Sequence, residues 1–304
     1  MFDLELFQRA CWQALLQRQR PDGGWAFSPN SPQSALEPTA LALLALPQCL
    51  TEPRQAASSF LSREQNGNGS WPAFVGDQAG GSGVTGLVVH SLMHSNAKHS
   101  SIDRAIRWLL NSRGQEAHWL WKWKFRTSDR HVRFDPSKFG WPWIPGTVSW
   151  VVPTAYSLLA LQPRLSSEAN PKVKLRIDRG VEMLFDRMCP EGGWNSGNGV
   201  VYGHMLAPHP DATAIALLVL KNVLLNDSVT RSLDWLESRA QDLSGQWSLA
   251  WTTLALDAFH RPVSFLTHKL LEGPDPAAVQ DCATLAIVSI ALRTSEGTNV
   301  FGGN

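Results

Sequence analysis

The chain has 304 residues, 43% of them hydrophobic and 17% charged, with a formal net charge of +1. That composition describes a protein with a sizeable packed core, and a charge this close to zero gives no bulk attraction to nucleic acid or to an anionic surface. Met1-Phe2-Asp3-Leu4-Glu5 lacks the basic and apolar regions of a signal peptide, and no apolar run is long enough to span a bilayer, so a cytoplasmic location is expected.

Taken in order, residues 4–19 form an amphipathic helix, with Phe7, Ala10, Cys11, Ala14 and Leu15 on one stripe. Pro21-Asp22-Gly23-Gly24 ends it, and Gly supplies the left-handed dihedrals of a helix C-cap. Glu37-Pro38-Thr39-Ala40 then opens a helix that is apolar nearly all round through Leu46, which requires burial on every side. An outer amphipathic helix, a Gly-Trp turn and an inner apolar helix make one unit. The turn follows the frame Gln-x3-Gly-x-Trp at Gln19, Gly23 and Trp25, at Gln65, Gly69 and Trp71, and at Gln241, Gly245 and Trp247; Met188, Gly192 and Trp194 repeat it with Met for Gln. Further inner helices are expected to start near Thr85, Thr154, Thr213, Thr252 and Asp281, giving six units. The first and last inner helices are as apolar as the others. An open stack would leave them exposed, so the units are expected to close into a double ring forming a single domain over 1–304. Cys11, Cys49, Cys189 and Cys282 form no Cys-x-x-Cys pair and read as reduced, buried thiols.

Two stretches depart from the repeat. Residues 115–150 form an insert between the second and third inner helices. Trp119, Trp121, Trp123 and Phe125 alternate there with Leu120, Lys122 and Lys124, which predicts an extended strand, with His131 to Phe134 as its hairpin partner. With Trp141 and Trp143 this reads as a rim or lid hairpin over a cavity mouth, and its aromatic-plus-basic pattern allows peripheral membrane contact. His209-Pro210-Asp211-Ala212-Thr213-Ala214 opens the fourth inner helix, behind a Gly-rich approach that carries His204. Asp211 is at the least a good helix cap. His90 and His94 lie one turn apart but have no third ligand nearby in sequence, and no metal is expected.

The repeated Gln-x3-Gly-x-Trp turns, before inner helices that open Pro-Thr-Ala or Asp-Ala-Thr-Ala, resemble the squalene-cyclase and protein-prenyltransferase superfamily over nearly the whole chain. The resemblance implies an all-α (α/α)6 toroid of six outer and six inner helices with an apolar central cavity. It further implies proton-initiated, class II-type cyclisation or rearrangement of an isoprenoid, with no cofactor. On it, Asp211 falls where such cyclases carry the general acid, with His209 or His204 as tuning partner. Asp281, Cys282 and Glu37 hold comparable places at other inner-helix starts. The prenyltransferase zinc set is incomplete, since Thr213 stands two residues after Asp211 and no His follows His268. A non-catalytic toroid binding a prenyl chain or peptide, and a prenyltransferase β-like subunit, stand as alternatives. The barrel could be closed by a homodimer or a partner subunit.

Overall fold

In the computed structural model, residues 3–95, 100–127, 133–165, 170–221 and 226–302 are described, with the backbone alone for 125–127. Among them, thirteen α-helices carry nearly all the regular structure. The outer helices are α1 (Leu4–Arg18), α3 (Thr51–Arg63), α5 (Ser100–Asn111), α8 (Pro171–Asp186), α10 (Asp227–Arg239) and α12 (Ser264–Leu271). The inner helices are α2 (Leu36–Ala45), α4 (Thr85–Met93), α7 (Val151–Leu161), α9 (Pro210–Leu220), α11 (Gln246–Ala258) and α13 (Cys282–Leu292). One further helix, α6 (Trp119–Thr127), lies in the insert.

The division follows from the apolar pattern. In α1 only Gln8, Cys11, Ala14 and Leu15 are buried, a single stripe. In α2 and α9 almost every residue is buried. Each inner helix packs on the next, α2 on α4, then α7, α9, α11 and α13, and α13 returns to α2. The ring therefore closes, and the apolar faces of the first and last inner helices cover each other. Across the seam Gln8 Nε2 donates to the Ser289 carbonyl (3.0 Å) and hydroxyl (2.8 Å), and Cys282 N–H donates to Phe27 O (2.8 Å).

Four turns share one clamp. The indole N–H of Trp25, Trp71, Trp141 and Trp194 donates to an outer-helix carbonyl, that of Leu15, Leu61, Leu109 and Leu184 respectively. Each backbone N–H donates to a threonine hydroxyl of the following inner helix: Thr39, Thr85, Thr154 and Thr213. All four indoles are buried. The Trp thus pairs two backbone ends that a helix–turn–helix junction would otherwise bury unsatisfied.

Each turn is also braced to the next outer helix, by chemistry that varies. Gln19 and Gln65 amides donate to their own Gly carbonyls and on to Pro53 O and Ser101 O. Met188 lacks an amide; there Ser232 of α10 accepts the Gly193 N–H instead. Around Trp141, Arg176 of α8 donates to the carbonyls of Ser112 and Gly140. Lys269 of α12 holds the carbonyls of Gln241 and Leu243. Gly23 and Gly69 are fixed by this closeness: both have φ above +90°, and a Cβ would come within 2.5 and 2.6 Å of the Ala56 and Arg104 carbonyl oxygens.

Three expectations are corrected. Trp247 fits the turn frame but is the second residue of α11, which starts at Gln246 rather than near Thr252; Trp141, outside the frame, fills the clamp role. The insert strand is helix α6. An isolated extended segment leaves its backbone groups unpaired, whereas a helix closes its own bonds, beginning with Lys122 N–H to His118 O (2.9 Å). A period-two pattern wound into a helix gives no single apolar face, so Trp119, Leu120 and Trp123 remain exposed. Of the proposed hairpin partner, His131 and Val132 lie outside the described residues, as does the Phe125 side chain; Arg133 N–H bonds instead to Val200 O. Third, Cys49 is exposed, while Cys11, Cys189 and Cys282 are buried free thiols.

No helix among the described residues is long and apolar enough to cross a membrane.

Candidate active site

The inner helices are parallel, so their N-terminal ends meet at one mouth of the ring. Glu37 is the second residue of α2, Asp211 the second of α9 and Trp247 the second of α11, while Asp281 caps α13. Four elements remote in sequence thus bring three carboxyls and an indole to one place. Trp247 Nε1–H donates to Asp211 Oδ2 at 3.3 Å.

Tyr156, from the middle of α7, donates its hydroxyl proton to Glu37 Oε1 at 3.1 Å. Since α4 lies between α2 and α7 in the ring, this bond crosses the lumen. The ring of Tyr156 also faces Trp251 of α11 at 6.5 Å, again between helices that are not neighbours. Trp247 meets Trp251 edge-on at 5.8 Å, and Phe301 lies 5.0 Å from Trp251 and stacks on His90 at 5.1 Å. A column of aromatic rings therefore runs down the axis below the carboxyls.

The far end is closed by the segment Asn299–Gly302. The Asn299 amide donates to Leu254 O (2.9 Å) and Asp257 Oδ2 (2.8 Å) near the end of α11. His90 Nε2 pairs with Val300 O, and Lys221, just past α9, donates to Gly302 O. Tyr156 and Trp251 are 0% and Phe301 2% exposed, so the depth of the lumen is filled with aromatic side chains rather than open. The accessible polar groups are those of the mouth.

The electrostatics single out Glu37. Enclosure by protein pushes its carboxyl up to about 7; the Tyr156 hydrogen bond opposes the shift and the charge of Asp281 adds to it. Glu37 keeps some accessible surface because it opens on the mouth, yet among the described residues no cation pairs with it. Burial and the charges of Glu37 and Asp211 raise Tyr156 well above a normal phenol, so its hydroxyl stays a donor. Desolvation, followed by neighbouring His94, holds His90 at about 3, a neutral imidazole.

The residues expected from sequence fall into separate places. Asp211 and Glu37 share the mouth. Asp281 Oδ2 accepts both the N–H and the hydroxyl of Thr284, which makes it the cap of α13. Burial raises the thiol of Cys282 behind it. His209 is exposed at the cap of α9, with its backbone N–H on Trp194 O. His204 is exposed on a two-stranded hairpin, β1 (Val200–Val201) with β2 (His204–Met205). Neither histidine has a hydrogen bond to Asp211 among the described contacts. Trp119 and Trp123 point to solvent, Trp121 lies under Lys124 Nζ at 4.6 Å, and Trp143 is half-buried, its carbonyl accepting from Gly83 N–H. Trp141 is buried in the clamp and takes no part in a lid. Among the described residues no three His, Cys, Asp or Glu side chains converge as a metal site.

Tyr156, Trp251 and Phe301 were not anticipated. Tyr156 left a signal: it is one of two tyrosines and the polar tip in an inner helix that is otherwise nearly all apolar.

No protein-family model matches the sequence. A drimenyl diphosphate synthase of Streptantibioticus cattleyicolor is 24% identical over 220 residues, which cover 60% of this chain and 40% of that protein. The chain thus matches well under half the length of that relative. The type II terpene cyclase MstE from Scytonema superposes with a TM-score of 0.62 at 13% identity, over 97% of this chain and 99% of that one. An α-1,6-mannanase of Salegentibacter, solved with α-1,6-mannotriose, gives 0.65 at 8% identity, over 95% and 98%. The fold alone thus serves isoprenoid and sugar chemistry alike. The chain is therefore a helical double ring that shares its fold with the type II terpene cyclase MstE and is similar in sequence, over 220 residues, to a drimenyl diphosphate synthase.

Proposed function

We propose that this toroid binds an isoprenoid at its N-terminal mouth and starts a class II-type cyclisation by protonating it, with Glu37 as proton donor and Asp211 as the second carboxyl of the site. The observation that carries the proposal is the Glu37–Tyr156 bond across the lumen, which sets a carboxyl above an aromatic column. A carboxyl near 7 still holds its proton in part at neutral pH. Addition of that proton to a terminal alkene leaves a tertiary cation, which a neighbouring double bond attacks to close a ring. Loss of a C–H proton to a base then ends the sequence. Trp247 and Trp251 present π faces of the kind that steady such cations. The mouth suits an apolar guest: exposed Phe27, Phe74, Ile144, Tyr202, Met205 and Leu206 all lie in segments that lead into inner-helix N-termini. Peripheral membrane contact and a partner subunit would both be made through this rim.

The test is incubation with squalene, farnesyl diphosphate and geranylgeranyl diphosphate, followed by mass spectrometry of the extracted lipids. Glu37→Gln is expected to lose product by at least about a hundredfold with its circular dichroism unchanged, in the range that loss of a general acid produces. If Glu37→Gln keeps activity and Asp211→Asn loses it, the proton comes from Asp211. A second reading is favoured by one observation, the filled lumen of Tyr156, Trp251 and Phe301: a toroid that holds a prenyl chain at its mouth without turnover. It predicts retained isoprenoid and no new product.

A further inference from the structure

Outside the ring mouth, a pocket of about 320 Å³ lies between the end of α5 and the first half of α8. Leu110, Phe139 and Leu175 form its apolar walls, and Leu175 is 58% exposed. Arg113, Lys172, Arg176 and Arg179 also line it, and among the described residues no carboxylate does. Among the described residues neither Arg113 nor Lys172 has an acidic partner or a side-chain hydrogen bond. Arg179 alone has an ion pair, with exposed Glu182.

Arg176 is the built part of this pocket. It is 7% exposed, donates from Nη1 to the Phe139 carbonyl and from Nη2 to those of Ser112 and Gly140, and lies 3.3 Å over the Trp141 ring. Its Nε is buried with no hydrogen-bond partner. Burial lowers its guanidinium to about 9; the charge of buried Glu116 opposes that shift, and nearby Arg113 adds to it. A buried cation beside two unpartnered ones raises the local potential and costs free energy that a bound anion would relieve. Two or more formal negative charges match three cations better than one does, and the Leu110, Leu175 and Phe139 wall has no polar group to offer a ligand's tail.

We infer that this pocket binds a phosphoryl group that carries an aliphatic chain, with the anion between Arg113, Lys172 and Arg176 and the first methylenes against Leu110, Leu175 and Phe139. The site is separate from the ring mouth and does not depend on the chemistry proposed there. A free alkyl or prenyl phosphate and a phospholipid head with its glycerol and acyl chain share this chemistry.

The experiment uses the whole chain and two arms. In the first, octyl phosphate and inorganic phosphate are titrated calorimetrically. In the second, the protein is sedimented with phosphatidylcholine vesicles with and without phosphatidic acid. Octyl phosphate is expected to bind at least tenfold more tightly than inorganic phosphate. Arg113→Ala/Lys172→Ala is expected to weaken it at least tenfold, and Leu175→Ser to weaken octyl phosphate while leaving inorganic phosphate unchanged. Both substitutions alter exposed side chains, so the fold is retained and circular dichroism checks it. Binding of the monomeric phosphate without vesicle capture assigns a free ligand. Capture by phosphatidic acid that the double variant abolishes, without monomer binding, assigns a lipid head. Binding in neither arm, or binding that the double variant leaves intact in both, overturns the inference.

Discussion

Glu37 and His90 show how enclosure acts on single residues, and they pull stability in opposite directions. The Glu37 carboxyl is raised from 4.5 to about 7, so the folded state holds its proton more tightly than the unfolded chain. Its contribution is full below 4.5 and is lost as pH rises through 7. His90 is lowered from 6.5 to about 3, so its contribution is full above 6.5 and is lost as pH falls toward 3. Stability is therefore expected to peak at roughly pH 5 to 6.5, between the two losses. The whole Glu37 shift is worth about 3 kcal/mol, but the opposing His90 slope offsets it up to pH 6.5, so the net alkaline limb that Glu37→Gln should remove is about 1 kcal/mol or less. Urea midpoints across the pH range check it: a variant whose midpoint falls from pH 6 to 8 as far as the wild type's would show that Glu37 is not the group responsible. The presence of Glu37 at an inner-helix start was legible in the sequence. Its importance was not, because Tyr156 lies 119 residues away and only ring closure brings the phenol to the carboxyl.

Among the elements, the turn and the insert teach opposite lessons about repeats. The turn is conserved in geometry while its chemistry drifts: a Gln amide, a Ser hydroxyl, an Arg and a Lys each tie a turn to the next outer helix. What the close approach fixes is the glycine. Gly69→Ala would place a Cβ 2.6 Å from the Arg104 carbonyl oxygen at φ +95°, and a loss of more than about 2 kcal/mol is expected. A thermal melt within experimental error of the wild type would show that α5 can shift to admit the methyl. The insert could not be read by period alone. Alternation of Trp with Lys gives a strand pattern, but whether a strand forms depends on a neighbour to pair with. The insert is instead tied down by Glu116, which is 0% exposed, accepts the Ser149 N–H and lies 3.9 Å from Arg187. Nothing in the spacing of residues 115–150 announces that buried pair.

For the molecule as a whole, closure is the defining act. Six inner helices that are apolar on all sides have no stable arrangement in water except one in which each is flanked by two others and covered by an outer helix. Gln8 tests the seam where the ring shuts: it is 3% exposed and makes two bonds to Ser289 of α13. Gln8→Ala is expected to cost roughly 1–3 kcal/mol, since it leaves buried partners unsatisfied, and to lower the thermal midpoint while the helical signal at low temperature is kept. An unchanged midpoint would mean that α1 and α13 are held by apolar contact alone. The sequence by itself determined the twelve helices of the ring, their outer and inner roles and the need for closure, though not the insert helix α6 or the start of α11, because periodicity and hydrophobicity are local properties that dictate which faces must leave water. Only the tertiary structure decided that Trp141 and not Trp247 completes the set of clamps, that Trp247 faces Asp211 instead, and that Tyr156, Trp251 and Phe301 fill the lumen below Glu37. Those outcomes depend on distances between residues far apart in the chain, which are set when the ring closes.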